Sequence, residues 1–172
     1  MDRTSLTKII ESENGINWWK PDLFEKNIKP FLPNELKIVS SPPRYENNFN
    51  CFVFIFGLQD NSDFLGGKNP IQQEFIKYLI ENNILIPLES PQINDLILYE
   101  NEKGEITHGG IMADKDQVLS KWMWGPIIEH KIWDVPSSFG NKISFFKRPA
   151  TIEINGKYND YKNTGVYIKP IR

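Results

Sequence analysis

The single cysteine of this 172-residue chain, Cys51, stands at the start of an apolar run and has the chemistry of a nucleophile. The segment before it, 42–48, is polar and carries prolines that disfavour a helix. The pattern therefore predicts a helix that begins at Cys51, with Asn50 as its N-cap. Free backbone N–H groups at that position stabilise a thiolate, most strongly with an imidazole nearby. A lone cysteine beside apolar residues is also typical of a small core residue, so the partner decides between the two interpretations.

The chain contains two histidines, and His108 is the better candidate partner. It lies in the segment 106–111, where Gly109 and Gly110 follow it and leave room beside the imidazole. A cysteine at a helix start facing a histidine on a strand predicts a catalytic pair. The imidazole takes the thiol proton, the thiolate attacks a carbonyl and helix N–H groups receive the oxyanion. His130 alternates with apolar residues and is interpreted as a structural or surface histidine.

Composition narrows the class of protein. A net charge of −2, with acidic and basic residues mixed along the chain, argues against a nucleic-acid partner. One cysteine excludes an intramolecular disulfide and a thiolate-rich zinc site, and we expect neither a metal nor a cofactor. The N-terminus lacks the apolar core of a signal peptide, and no apolar stretch reaches the length of a membrane span. We therefore expect a cytoplasmic protein without a membrane partner, while export by a dedicated machine stays open.

The periodicity predicts helices first and a sheet second, which is the pattern of an α+β fold with N-terminal helices packed on an antiparallel meander. Helices are predicted at 5–13 and 70–82. The aromatic and proline-rich passage 16–33 is expected to be ordered by packing more than by regular structure. Strands are predicted at 95–100, 105–112, 117–122, 127–131, 142–147, 150–154 and 165–169. Asn155-Gly156 is interpreted as a hairpin turn between the last two strands.

Two of these strands resemble a known superfamily. The segment 94–99, a glycine turn and then 106–111 are similar to the strand pair of NlpC-type papain-fold cysteine peptidases. In that family a Gly-Asp-Leu-Val strand is followed by His-Val-Gly-Ile, which carries the catalytic histidine. The order is also similar, with Cys51 standing 57 residues before His108. Residues 120–140 look like a poorly characterised branch of the superfamily, and the resemblance covers roughly residues 45–147.

The resemblance implies a papain-like fold and further site residues. Length and apolar content predict a single domain over 1–172. Within it the resemblance implies a catalytic-like core at about 45–147, which leaves an N-terminal extension at 1–44 and, from the turn signal, a C-terminal β-hairpin at 148–172. A polar residue about a dozen positions after the histidine would orient the imidazole, which indicates Ser120, with Asp95 as its competitor. Lys121, one position further along the strand, is expected to point to the opposite face. Residues of the oxyanion and substrate-binding site are expected to be Tyr45, Asn48, Asn50 and Trp122.

Three functions are consistent with these patterns. The first is a cysteine hydrolase or acyltransferase that cleaves a peptide, amide or thioester through an acyl-enzyme. The second is an inactive papain-like module whose Trp-rich cleft holds a peptide or partner protein, since the segment 122–124 and nearby Trp133 suit an interface. Trp18-Trp19 has two interpretations: the indoles stack a sugar or a peptide side chain, or at least one of them fills the core, which is favoured because tryptophan is highly buried on average. The third hypothesis is an effector or toxin-associated domain, which composition does not test.

Overall fold

The computed structural model describes residues 2–164, which form one antiparallel sheet covered by helices on both faces. The described strands are β1 Lys37–Ser40, β2 Pro87–Leu88, β3 Leu96–Glu100, β4 Ile106–Met112, β5 Gln117–Lys121, β6 Ile127–Lys131 and β7 Lys142–Phe146. The described helices are α1 Arg3–Glu11, α2 Ile16–Trp19, α3 Pro21–Asn27, α4 Cys51–Ile55, α5 Gln73–Glu81 and α6 Thr151–Asn163. The strand order is β1-β6-β5-β4-β3-β7-β2, so the α+β class and the central meander β3 to β6 are confirmed.

The sheet is buried on both sides, which explains the continuous apolar run Leu96–Tyr99 in β3. The register pairs Leu98 with Gly109 and Tyr99 with His108, and a bulge follows at Glu100. Because neighbouring side chains in a strand alternate between faces, this register assigns each residue of β4 to one of two cores. The position of every candidate site residue follows from that assignment.

The two cores are built by different helices. The first core contains α4, α5 and α6 together with Leu98 and Ile111, and we call this side of the sheet the α4 face. The second core contains residues of α1, α2 and α3 together with Tyr99 and Trp122, and we call it the far face. Helices therefore cover both faces of the sheet, and the N-terminal helices cover only the far face. The N-terminal segment 1–44 also supplies β1, which pairs with β6, so it is part of the same sheet.

The predicted strand 150–154 and the hairpin turn at Asn155-Gly156 are wrong, because both lie inside α6. Ile154, Tyr158 and Tyr161 recur at helical spacing and are all buried, and both tyrosine rings pack around Phe75. Burial of this aromatic stripe outweighs the turn preference of Asn-Gly. The C-terminal hairpin 148–172 is therefore replaced by a helix as far as the structure describes it. The strand predicted at 165–169 lies outside the described residues.

Other boundaries differ in smaller ways. The passage 16–33 contains two short helices, α2 and α3, where packing alone was expected to order the chain. The helix predicted from residue 70 begins at Gln73. Ile71 stays outside the helix, where its side chain is fully buried and its carbonyl accepts a hydrogen bond from Asn50 Nδ2 (2.7 Å). The edge strands β1 and β2 were not predicted, since each pairs over two to four residues.

None of the helices in the described part of the chain is long and apolar enough to cross a membrane.

Candidate functional site

Cys51 occupies the predicted position at the first residue of α4. Asn50 is the N-cap, and its Oδ1 accepts a hydrogen bond from the Val53 N–H (3.0 Å), which confirms that prediction. The residue is only 5 % exposed. This burial raises the pKa of Cys51 to about 12, although the backbone N–H of Gly109 and the charge of Lys121 act in the opposite direction. The thiol is therefore protonated over the neutral pH range.

His108 does not meet Cys51. At the next position, a Cβ added to Gly109 would lie 3.0 Å from Ile55 Cδ1, so Gly109 faces α4. Because side chains alternate, His108 points to the far face, where its ring stacks on Phe139 with 4.0 Å between centroids. The two side chains therefore lie on opposite sides of β4, and the predicted Cys51–His108 pair is not assembled.

The environment of His108 also differs from that of a catalytic base. The imidazole is buried, and its Nε2 has no hydrogen-bond partner among the described residues. Burial, and then the nearby His130, lower the pKa of His108 well below its ordinary value of 6.5. The ring is therefore neutral and packed between aromatic side chains.

Ser120 orients the other histidine. The Nδ1 of His130 lies 2.7 Å from the Lys131 carbonyl, which can only accept, so Nδ1 carries the proton. The Nε2 of His130 then accepts from the Ser120 hydroxyl at 2.7 Å, and Trp122 Nε1 donates to Ser120 Oγ at 3.0 Å. Burial lowers the pKa of His130 to about 4. The role predicted for Ser120 beside His108 is wrong, and His130 is a buried structural residue.

Lys121 is the titratable group that is coupled to Cys51. It follows Ser120 in β5 and therefore faces α4, as the alternation predicts. Its side chain is fully buried; Nζ donates to the Gly125 carbonyl and lies 4.9 Å from the centre of the Phe49 ring. Burial lowers the pKa of Lys121 to about 7, while Cys51 acts in the opposite direction. A thiol and an amine whose pKa lies near neutral pH thus share one buried site.

Three of the four residues expected to bind an oxyanion or substrate are occupied elsewhere. Asn48 Nδ2 donates to the carbonyls of Trp124 (2.7 Å) and Pro43 (3.4 Å), and its Oδ1 accepts the Phe49 N–H. Asn50 caps α4, and the Trp122 indole is fully buried beside Ser120. The predicted roles of Asn50 and Trp122 are wrong because each side chain satisfies backbone or side-chain groups that folding buries. Asn48 also lines a surface groove, so a substrate-binding role for it stays a prediction.

Asp95, the competitor for the orienting role, is also accounted for. Its carboxylate accepts from the Gln92 N–H (2.8 Å) and from Lys147 Nζ (3.0 Å), just before β3, and neither partner is a histidine. It is a structural residue at a strand end.

Tyr45 lines a groove on the surface beside this site. The groove has a volume of about 280 Å³ and is lined by Trp19, Tyr45, Asn48, Gly67 and Trp124. The rings of Trp19 and Tyr45 meet edge to face, with 6.3 Å between centroids. Gly67 adopts φ +70°, and a Cβ there would lie 3.3 Å from the Tyr45 hydroxyl. Glycine at this position keeps the groove open.

The tryptophan doublets divide between core and groove. Trp18 is buried while its neighbour Trp19 lines the groove, which confirms the prediction that one indole fills the core. Trp122 is buried and Trp124 lines the groove, two positions further along the chain. The sequence predicts an interface at 122–124 but no connection with Trp19, since only the fold brings the two segments together.

The turn 122–125 joins the groove to the Cys51 site. Trp18 Nε1 donates to the Trp122 carbonyl (2.8 Å), Asn48 Nδ2 binds the Trp124 carbonyl, and Lys121 binds the Gly125 carbonyl. Met123 has φ +57°, an uncommon conformation for a residue other than glycine. The backbone of the turn is therefore fixed by three side chains, one of which is Lys121. The same turn presents Trp124 to the groove.

Comparison of the chain with family models, curated proteins and solved structures gives no match, so the argument for function depends on the fold and the site. Among residues 2–164, no group of three or more His, Cys, Asp or Glu side chains is placed to hold a metal ion.

Proposed function

We propose that the chain is a papain-like thiol enzyme that transfers or hydrolyses an acyl group, with Cys51 as the nucleophile and Lys121 as its base. The observation that carries the proposal is the shared burial of these two side chains at the start of α4, next to an open aromatic groove. Strongly perturbed ionisable groups beside a cleft are typical of catalytic sites. Because the pKa of Lys121 is lowered to about 7, its amine is a base matched to neutral pH.

The reaction follows from the protonation states. The neutral amine of Lys121 takes the thiol proton as Cys51 Sγ attacks the acyl carbonyl carbon and forms a carbon–sulfur bond. The bond to the leaving amine or alkoxide breaks, and the ammonium of Lys121 returns the proton to the leaving group. Water then attacks the thioester with Lys121 again acting as base, which releases the acid and the free thiol. The ammonium and thiolate stabilise each other during the transfer, which offsets part of the high pKa of Cys51.

Acetylation by p-nitrophenyl acetate tests this proposal, followed by intact-protein mass spectrometry and peptide mapping. We expect the rate at Cys51 to rise with pH through about 7, because Lys121 must be neutral to accept the proton. Lys121→Met should remove this inflection and lower the rate by about 100-fold. Cys51→Ala should leave no modification at that position.

His108→Phe is the matched control, because it changes a buried titratable side chain on the far face of β4 without touching the thiol. Its rate profile should keep the inflection near 7, whereas a Cys–His pair would lose it. If Cys51 is acetylated only after denaturation, in the wild-type protein as well as in Lys121→Met, the proposal is contradicted.

A second candidate is supported by the low exposure of Cys51. A thiol that is 5 % exposed with a pKa of about 12 also fits a packing residue in an inactive papain-like module that binds a peptide or partner protein. Acetylation of Cys51 only after denaturation would favour this function, and the groove would then be the principal binding site.

A further inference from the structure

We infer that the groove between Trp19, Tyr45 and Trp124 binds one large apolar side chain of an acidic peptide, which is the substrate class of the Cys51 site. The inference rests on the proposed function for its catalytic part only, since binding in the groove does not require the thiol. The lining residues suit an apolar side chain better than a charged group or a sugar.

The walls of the groove define the apolar part of the ligand. Three aromatic rings line it, and the side-chain amide of Asn48 at its base is already bound to the backbone of Trp124 and Pro43. The Tyr45 hydroxyl and the indole N–H groups of Trp19 and Trp124 make no hydrogen bond with the described residues and are the polar groups left for a ligand. A sugar ring would leave most of its hydroxyl groups without partners there, whereas an aromatic or aliphatic side chain requires none.

The size of the groove limits the ligand to one side chain. Its volume of about 280 Å³ lies at the lower end of the range of pockets that enclose a whole small molecule, roughly 300–1,000 Å³. The remainder of the ligand must therefore lie over the rim. Because the turn 122–125 is fixed by Trp18, Asn48 and Lys121, the backbone that carries Trp124 is preorganised, which lowers the entropy cost of binding at that wall.

The rim supplies the charge preference. Three lining residues have an exposed basic neighbour in the chain: Lys20 beside Trp19, Arg44 beside Tyr45 and Lys68 beside Gly67. Lys20 Nζ lies 5.4 Å from the centre of the Trp19 ring, which holds one cation at the wall itself. Glu46 is the one exposed acidic neighbour of these lining residues. In a chain of net charge −2, this local excess of cations favours carboxylates beside the anchoring side chain.

The groove also connects to the Cys51 site by backbone. Asn48, at its base, lies three residues before Cys51, and Trp124, at its wall, is next to the carbonyl that binds Lys121. A peptide anchored by one side chain in the groove would have its backbone near the start of α4. The anchor and the reacting group would then belong to the same short segment.

Indole NMR on the ¹⁵N-labelled Cys51→Ala protein tests the inference without any catalysis. The probe is the capped peptide acetyl-Glu-Asp-Phe-Asp-Glu-amide, compared with one that has Ala in place of Phe and with acetyl-Lys-Lys-Phe-Lys-Lys-amide. We expect the acidic Phe peptide to shift the Trp19 and Trp124 Nε1–H signals and to leave that of Trp133 unchanged. Trp124→Ala should weaken binding at least about tenfold.

Trp133→Ala is the matched control, because it removes an indole that is 41 % exposed and lies outside the groove. The charge preference is tested separately by Lys20→Glu combined with Lys68→Glu. These exposed substitutions leave the walls intact, and we expect them to weaken binding of the acidic peptide and to reduce its salt dependence.

Equal binding of the Ala peptide or of the Lys peptide would overturn the inference, as would unshifted Trp19 and Trp124 signals at about 1 mM peptide. Such a result leaves the acetylation of Cys51 unaffected. Conversely, a thiol that cannot be acetylated together with a peptide that binds would separate the groove from the proposed chemistry.

Discussion

The two faces of the sheet bury polar side chains in different ways, although neighbouring residues of β5 supply both. On the far face, Ser120, His130 and Trp122 satisfy one another and the Lys131 carbonyl, with every distance at 3.0 Å or less. On the α4 face, Lys121 shares its site with a thiol and lies beside a surface groove. A closed network fixes a fold, whereas a perturbed acid and base beside a cleft are typical of catalytic sites. Under the proposed function, the chemistry therefore belongs to the α4 face and both histidines are structural.

The largest expected effect is a pH dependence of the free energy of unfolding, which comes from the two histidines of the far face. Burial depresses the pKa of His108 and His130 in the folded protein, so only the unfolded chain takes up protons as the pH falls below about 6.5. Their contribution to stability is complete above that value and is lost on acidification. We expect the free energy of unfolding to fall by about 1.4 kcal/mol per pH unit for each histidine, down to about pH 4 for His130. Denaturant titrations at a series of pH values measure this slope.

His108→Phe is the control for the acid slope. It replaces an imidazole whose Nε2 is unpaired with a ring that stacks equally well on Phe139, so at about pH 8 stability should change by less than about 1 kcal/mol. The acid slope should fall to that of His130 alone. An unchanged slope would show that His108 is not buried as a neutral group.

The next effect concerns the turn that serves both faces. A Cβ on Gly125 would lie 1.9 Å from Trp18 Nε1, so Gly125→Ala must displace an indole that stacks on Trp122. We expect a loss of about 3 kcal/mol or more in the free energy of unfolding, measured by denaturant titration. The groove and the Lys121 contact should be disturbed together.

Gly156→Ala is the matched substitution elsewhere. It lies within α6 with nothing within 4 Å of the added Cβ, so alanine should stabilise the helix by about 0.5–1 kcal/mol. Equal effects of the two glycine substitutions would refute the close contact at Gly125.

The smallest effect distinguishes neighbouring residues of β5. Ser120→Ala leaves His130 Nε2 and Trp122 Nε1 without their buried partner, which should cost about 2 kcal/mol of stability. The rate of Cys51 acetylation in the folded protein should stay unchanged, because Ser120 lies on the far face. Thermal unfolding and the acetylation assay measure the two quantities on the same sample. A slowed acetylation at full stability would assign Ser120 to the thiol site instead.

Local patterns predicted much of the architecture. The helix start at Asn50-Cys51, the meander β3 to β6 and the buried position of one indole in Trp18-Trp19 follow from capping, alternation and apolar content, and the structure confirms them. The same reasoning failed at Asn155-Gly156, where a turn signal competes with the burial of Tyr158 and Tyr161 against Phe75. Local preference of about 1 kcal/mol yields to the packing of large aromatic side chains.

The sequence by itself determined which residues could do chemistry: one thiol, two imidazoles and a strand in which Ser120 and Lys121 must face opposite ways. Only the tertiary structure decided which of them meet. The register of β4 places Gly109 against Ile55 and so directs His108 to the far face, and a shift by one residue would exchange the two. That register depends on the whole sheet and its two cores, since no short segment around His108 contains the helix that Gly109 must face.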